Sequence, residues 1–162
     1  MIPSQAGGDR RASKHRAASG VVTLGELLNC HISRDDWLAS RRALISPNEE
    51  VLVLATALAS RHRVAVLTNN CRMVSDHIRY LNPAVAELFG NQIYASALIG
   101  AAKPAANAYL RCLDRLGVSA SEALFVDDLE SNVAGAISAG LHGHVFTGAG
   151  ALFAELQRLN LL

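Results

Sequence analysis

Cysteine is scarce in this 162-residue chain, which carries only Cys30, Cys71 and Cys112. The three are odd in number, widely scattered and without CxxC spacing. That pattern argues against a disulfide framework or a zinc site and fits small buried thiols in a reducing, cytoplasmic setting. No apolar run is long enough to span a membrane. Neither sign of charge dominates: 15 Lys and Arg stand against 14 Asp and Glu, so no nucleic-acid surface across the domain is expected. Internal repeats are absent, and so is the GxGxxG of a dinucleotide site.

Apolar residues make up 51% of the chain, enough to fill the core of one domain. The basic residues Arg10, Arg11, Lys14 and Arg16 sit among Gly, Ser and Ala without apolar periodicity, so residues 1–19 read as a disordered tail. Three helix starts follow. Thr23 with Glu26 and Ser33 with Asp36 form capping boxes, and Ser46-Pro47-Asn48-Glu49 places proline at a first helical position. Val51, Leu52, Leu54, Ala55 and Leu58 then keep helical spacing. Val64 to Leu67 reads as a strand buried on both faces, stopped by the turn residues Thr68, Asn69 and Asn70. One helix is expected from Arg72 to Leu81, before Pro83, and a short one to Phe89. Ile93-Tyr94 suits a brief strand, and a helix over Ala105 to Leu116 closes on Gly117. Leu124 to Val126 is the second clear strand, followed by a small-residue helix from Asn132 to Ala139. Val145-Phe146 suits a last strand and residues 151–159 a terminal helix. Helices alternate with short apolar strands, which predicts an α/β, Rossmann-like fold with a parallel sheet.

Asp127 and Asp128 stand side by side at the mouth of an apolar strand. Two adjacent carboxylates repel, and a hard divalent cation resolves the repulsion. In an open parallel sheet ligands bind beyond the carboxyl ends of strands, where Thr68 and Asn69 also lie and which Lys103 can reach from its loop. A hydroxyl, a turn, a lysine and a carboxylate pair describe a site for phosphate with Mg²⁺. Each residue alone has an ordinary reading: Thr68 and the Asp pair as helix caps, Lys103 as a solvated loop residue. His142 and His144 are expected in a loop, because no third metal ligand lies at useful spacing.

The pattern resembles the haloacid dehalogenase-like hydrolases, in particular small phosphatases with a helical cap inserted after the first strand. Leu67-Thr68-Asn69-Asn70 matches the second motif of that family. Lys103-Pro104 matches the third. Phe125-Val126-Asp127-Asp128 with Asn132, Ala136 and Gly140 matches the fourth, and Phe89, Ser96 and Tyr109 also fall where such chains carry them. The resemblance covers roughly residues 47–160. It implies a HAD-like core over residues 47–162 and a partial, remnant helical cap over residues 20–46. It further implies Mg²⁺-dependent hydrolysis of a small phosphorylated metabolite by a phospho-aspartyl route. Thr68, Asn69 and Lys103 would hold phosphate, with Thr68 and Lys103 catalytic, Asp127 and Asp128 would hold Mg²⁺, and Asn132 would support them.

The family's first motif, an Asp-x-Asp ending an opening strand, has no counterpart here. Its first Asp attacks phosphorus and its second is the general acid and base. Asp35-Asp36 follows a helix start rather than a strand and has the wrong spacing. The chain as given is therefore expected to be inactive and to bind Mg²⁺ weakly; the competing reading is a non-catalytic binding or interaction protein. The missing strand would lie between the strands ending at Thr68 and Asp127. These are expected to pair directly or to leave a gap that favours self-association; a substitute strand at residues 20–24 is the remaining option.

Overall fold

The structure, a computed structural model, describes residues 31–162. They divide into two compact units, with the boundary between Ser46 and Pro47. The expected tail, the Thr23–Glu26 capping box and the possible strand at 20–24 lie outside the described residues.

Helix α1 (Arg34–Ala43) belongs to the first unit. The Ser33 hydroxyl accepts the Asp36 N–H at 3.1 Å and donates to the Asp36 carboxylate, so this cap forms as expected. In the second unit α2 (Glu49–Ala59) starts two residues later than the proline suggests. Its cap is Asn48, whose side-chain oxygen accepts the Val51 N–H at 3.1 Å.

After α2 the described residues form β1 (Val66–Thr68), α3 (Arg72–Asp76), α4 (Ile78–Leu81), α5 (Pro83–Phe89), β2 (Ile93–Ala95) and α6 (Ser96–Ile99). They continue as α7 (Ala106–Leu116), a short 3₁₀ turn, β3 (Leu124–Asp127), α8 (Glu130–Ser138), β4 (His142–Val145) and α9 (Ala149–Arg158). The single helix expected over 72–81 is broken at His77. There the ring Nδ1 lies 2.9 Å from the Met73 carbonyl, the acceptor that a continuous helix would give to the His77 N–H. The last strand falls earlier than expected, so His142 and His144 sit in β4 rather than in a loop.

Both β1–β2 and β3–β4 are parallel pairs, with Thr68 opposite Ala95 and Asp127 opposite Val145. Among the described residues they form two two-stranded sheets, and β1 does not pair directly with β3. Between them opens a cavity of about 950 Å³, lined by Leu54 and Leu58 of α2, Val66 and Leu67 of β1, and Phe125 and Val126 of β3. This corrects the expectation of strands buried on both faces: every residue of β1 and β3 is only half-buried. Helix α2, apolar along most of its length, for the same reason has no fully buried residue.

Helix α7 ties the two strand pairs together. Ala108 and Cys112 pack with Tyr94 and Ile99 on one side, while Tyr109 and Leu113 pack with Ala136 and Leu141 on the other. Residues at i and i+4 share a helix face, so two adjacent faces serve two clusters. Burial pushes the Cys112 thiol up to about 11, leaving it an inert core group. Gly117 ends the helix at φ 63°, the left-handed conformation that glycine adopts without strain.

Candidate active site

The site is assembled at the carboxyl ends of β1 and β3. β1 delivers Thr68, and the chain then turns through Asn69 and Asn70. Asn70 donates its side-chain amide to the Thr68 hydroxyl oxygen at 2.6 Å and its N–H to the Thr68 carbonyl at 3.0 Å. Ser96 in turn donates to the Asn70 carbonyl at 3.2 Å. The hydroxyl is thereby oriented with its own proton left to give.

Asn69 reaches across to the Lys103 loop. Its amide nitrogen donates to the Lys103 carbonyl and its amide oxygen accepts the Lys103 N–H, both at 2.8 Å. A two-point bond of this kind fixes a loop as a strand partner would. The peptide between Lys103 and Pro104 is cis. On the far side Pro104 rests on α8 at Gly135: a Cβ there would come within 2.4 Å of the Pro104 carbonyl oxygen. Glycine is required for that approach.

Held this way, Lys103 Nζ lies 2.5 Å from Asp127 Oδ2. Both side chains are about nine-tenths buried, at 10% and 8% exposure. The ammonium also lies 5.3 Å from the centre of the Phe125 ring, which Tyr109 meets edge-on. The other carboxylate oxygen, Asp127 Oδ1, accepts the Leu129 N–H and the Asn132 side-chain amide, each at 2.9 Å. Asn132 is buried, and its carbonyl accepts the Tyr109 hydroxyl at 2.6 Å. Burial pushes the Asp127 carboxyl up. The bonds from Lys103, Asn132 and Leu129 outweigh that effect and hold it below the usual carboxylate range. Burial, with the Asp127 charge second, raises the Tyr109 hydroxyl.

Asn69, Lys103, Asp127 and Asn132 thus lie along one set of hydrogen-bonded groups, and Thr68, at the end of β1, adjoins it through the chain with its hydroxyl held by Asn70. Asp128 stands apart: it is exposed, and among the described residues its side chain has no hydrogen bond or ion pair. Asp35 and Asp36 lie in the first turn of α1, bonded to Arg34 and Ser33. The sequence marked Asn70 only as a turn residue, not as the group that pins the Thr68 hydroxyl, and gave no role to Gly135, which seats the Lys103 loop. The signal for Gly135 was available as a glycine inside a helical pattern, which implies a close approach.

Over residues 14–140 the sequence matches the haloacid dehalogenase-like hydrolases. The chain belongs to the haloacid dehalogenase-like hydrolase family. It is 38% identical over 88 residues to Phosphatase MT3486 of Mycobacterium tuberculosis, a match covering 54% of this chain and 40% of that protein. It is 40% identical over 80 residues to Acyl-CoA dehydrogenase family member 10 of Mus musculus, covering 49% of this chain and 7% of that one. The matches therefore span well under half the length of these curated relatives. A solved HAD-like family hydrolase from Porphyromonas gingivalis shares the fold with a TM-score of 0.70 at 22% identity, over 86% of this chain and 71% of that one.

Haloacid dehalogenase-like hydrolases typically depend on Mg²⁺, and the rim can be tested for it. Mg²⁺ demands a near-octahedral set of oxygens. Among the described residues no group of three or more His, Cys, Asp and Glu side chains converges to hold a metal. Both oxygens of the Asp127 carboxylate are engaged, and its carbonyl accepts the Phe146 N–H at 2.9 Å. The residues present do not fit the ion as they stand.

Proposed function

We propose that this chain carries the phosphate-binding half of a phosphatase site of the phospho-aspartyl type, that its ligand is a small phosphorylated metabolite, and that it does not turn that ligand over unaided. The observation that carries this reading is the buried Lys103–Asp127 pair, held at the strand rim by the Asn69 amide beside the Thr68 hydroxyl. Thr68 donates its free proton to a phosphoryl oxygen. Lys103 gives one N–H to Asp127 and keeps two for the same anion. Asn69 spends its side chain on the Lys103 loop and contributes only main chain. In this reading Asp127 and Asp128 correspond to the family's metal pair, and Asn132 orients the first of them.

Catalysis requires an attacking carboxylate, and the sequence has no Asp-x-Asp to supply one. Loss of a covalent nucleophile costs on the order of a millionfold in turnover. A binding or interaction role, in the cytoplasm, is the reading left when hydrolysis is removed. The test is hydrolysis of p-nitrophenyl phosphate with Mg²⁺ present. The chain should be no faster than its Lys103→Ala variant. Clear Mg²⁺-dependent turnover that Asp127→Ala abolishes overturns the inactive reading.

A further inference from the structure

We infer that Lys103 is the resident cation of Asp127: its ammonium takes the place a divalent ion would need, so the carboxylate is closed to metal and, among the described residues, the acid left open at the rim is Asp128. The inference concerns the same rim as the proposed phosphate site and rests on its contacts alone, so it stands whether or not a phosphate ester binds.

Each oxygen of Asp127 has a defined partner. Oδ2 faces Lys103 Nζ at 2.5 Å, and Oδ1 takes the Leu129 N–H and the Asn132 amide. The main-chain oxygen takes the Phe146 N–H. A divalent ion approaching Oδ2 would have to displace an ammonium that is itself nine-tenths buried. The lysine has little room to leave, since its backbone N–H and carbonyl are both held by the Asn69 amide and its ammonium sits over the Phe125 ring. If the ion entered without displacing it, two cations would share a site of low effective dielectric, where like charges repel far more than in water. A buried carboxylate accepts one cation well and two badly. The exposed Asp128 offers one monodentate ligand, too little to hold a hard ion against its own hydration shell.

The distinguishing experiment titrates the full chain with Mn²⁺ alone, following amide NMR line broadening and the thermal midpoint. The intact chain should bind no tighter than about 1 mM. Asp127→Asn should leave that affinity unaltered, and Asp128→Asn should weaken it. Lys103→Met keeps the length of the side chain and removes its charge. Affinity should then rise by about tenfold or more, with broadening centred on Leu129 and the Asn132 side-chain amide, because one oxygen and one negative charge are freed. The double variant Lys103→Met/Asp127→Asn should lose the gain. A folded Lys103→Met chain with no gain overturns the inference. So does micromolar Mn²⁺ binding by the intact chain that Asp127→Asn abolishes. If Lys103→Met does not fold, the contrast between Asp127→Asn and Asp128→Asn decides: a loss of affinity in the former refutes it, and a loss in the latter alone supports it. Failure of the proposed function would show instead as an absence of phosphate binding or as Mg²⁺-dependent turnover, neither of which this titration reads.

Discussion

The Pro104 carbonyl oxygen sits where a Cβ on Gly135 would meet it at 2.4 Å, so a loop backbone and a helix backbone are in direct contact there. That contact sets the height of the Lys103 loop above α8, and Asn69 sets its position from the other side. The reach of Lys103 to Asp127 follows from both.

The first prediction concerns this contact. In an exposed helix interior, Gly→Ala gains about 1 kcal/mol. At Gly135 the nearest atom is a backbone oxygen on a clamped loop, which cannot swing aside. Gly135→Ala should therefore destabilise the chain by about 1–3 kcal/mol, the usual range for overpacking. Urea denaturation measures it; a variant as stable as the parent or more so would show that the loop yields.

A second prediction follows from the depressed Asp127 carboxyl. Burial alone would raise it, but its three hydrogen-bond donors lower it more. A group whose folded pKa is lowered adds stability above its unfolded value, near 4, and loses that contribution as pH falls through the folded value. Asp127→Asn leaves Lys103 buried without its partner, at a cost of about 3 kcal/mol near neutrality. The stability gap between parent and variant should be flat from about pH 5 to 7 and close below about pH 4. A gap that persists unchanged to the acid end would place the charge elsewhere.

The third prediction addresses the cavity. Among the described residues nothing pairs the facing edges of β1 and β3, and the wall between them is largely apolar. Open edges of this kind recruit other chains. Sedimentation should show concentration-dependent association from about 10 µM upward. A sharply monomeric, cooperatively melting protein would mean that the gap is satisfied within one chain.

Much of the element order was legible because it rests on local chemistry. Apolar periodicity marked α2, Gly117 marked the end of α7, and the apolar run before Asp127 marked β3. Boundaries slipped where a side chain competed with a backbone group. Asn48 took the cap that Pro47 suggested for Ser46, and the His77 ring took the Met73 carbonyl and split a helix.

The sequence by itself determined the α/β alternation and the residues at the carboxyl ends of the strands. Both of these depend on residue type and spacing along the chain. Only the tertiary structure decided that β1 and β3 stay apart, because strand pairing depends on which edges meet in space. It also decided the fates of two neighbouring acids. Asp127 and Asp128 look alike in the sequence, yet a turn of the chain buries one against Lys103 and leaves the other in solvent. That difference arises from a loop 24 residues earlier, seated on a glycine of the following helix, and spacing along the chain does not encode such a contact.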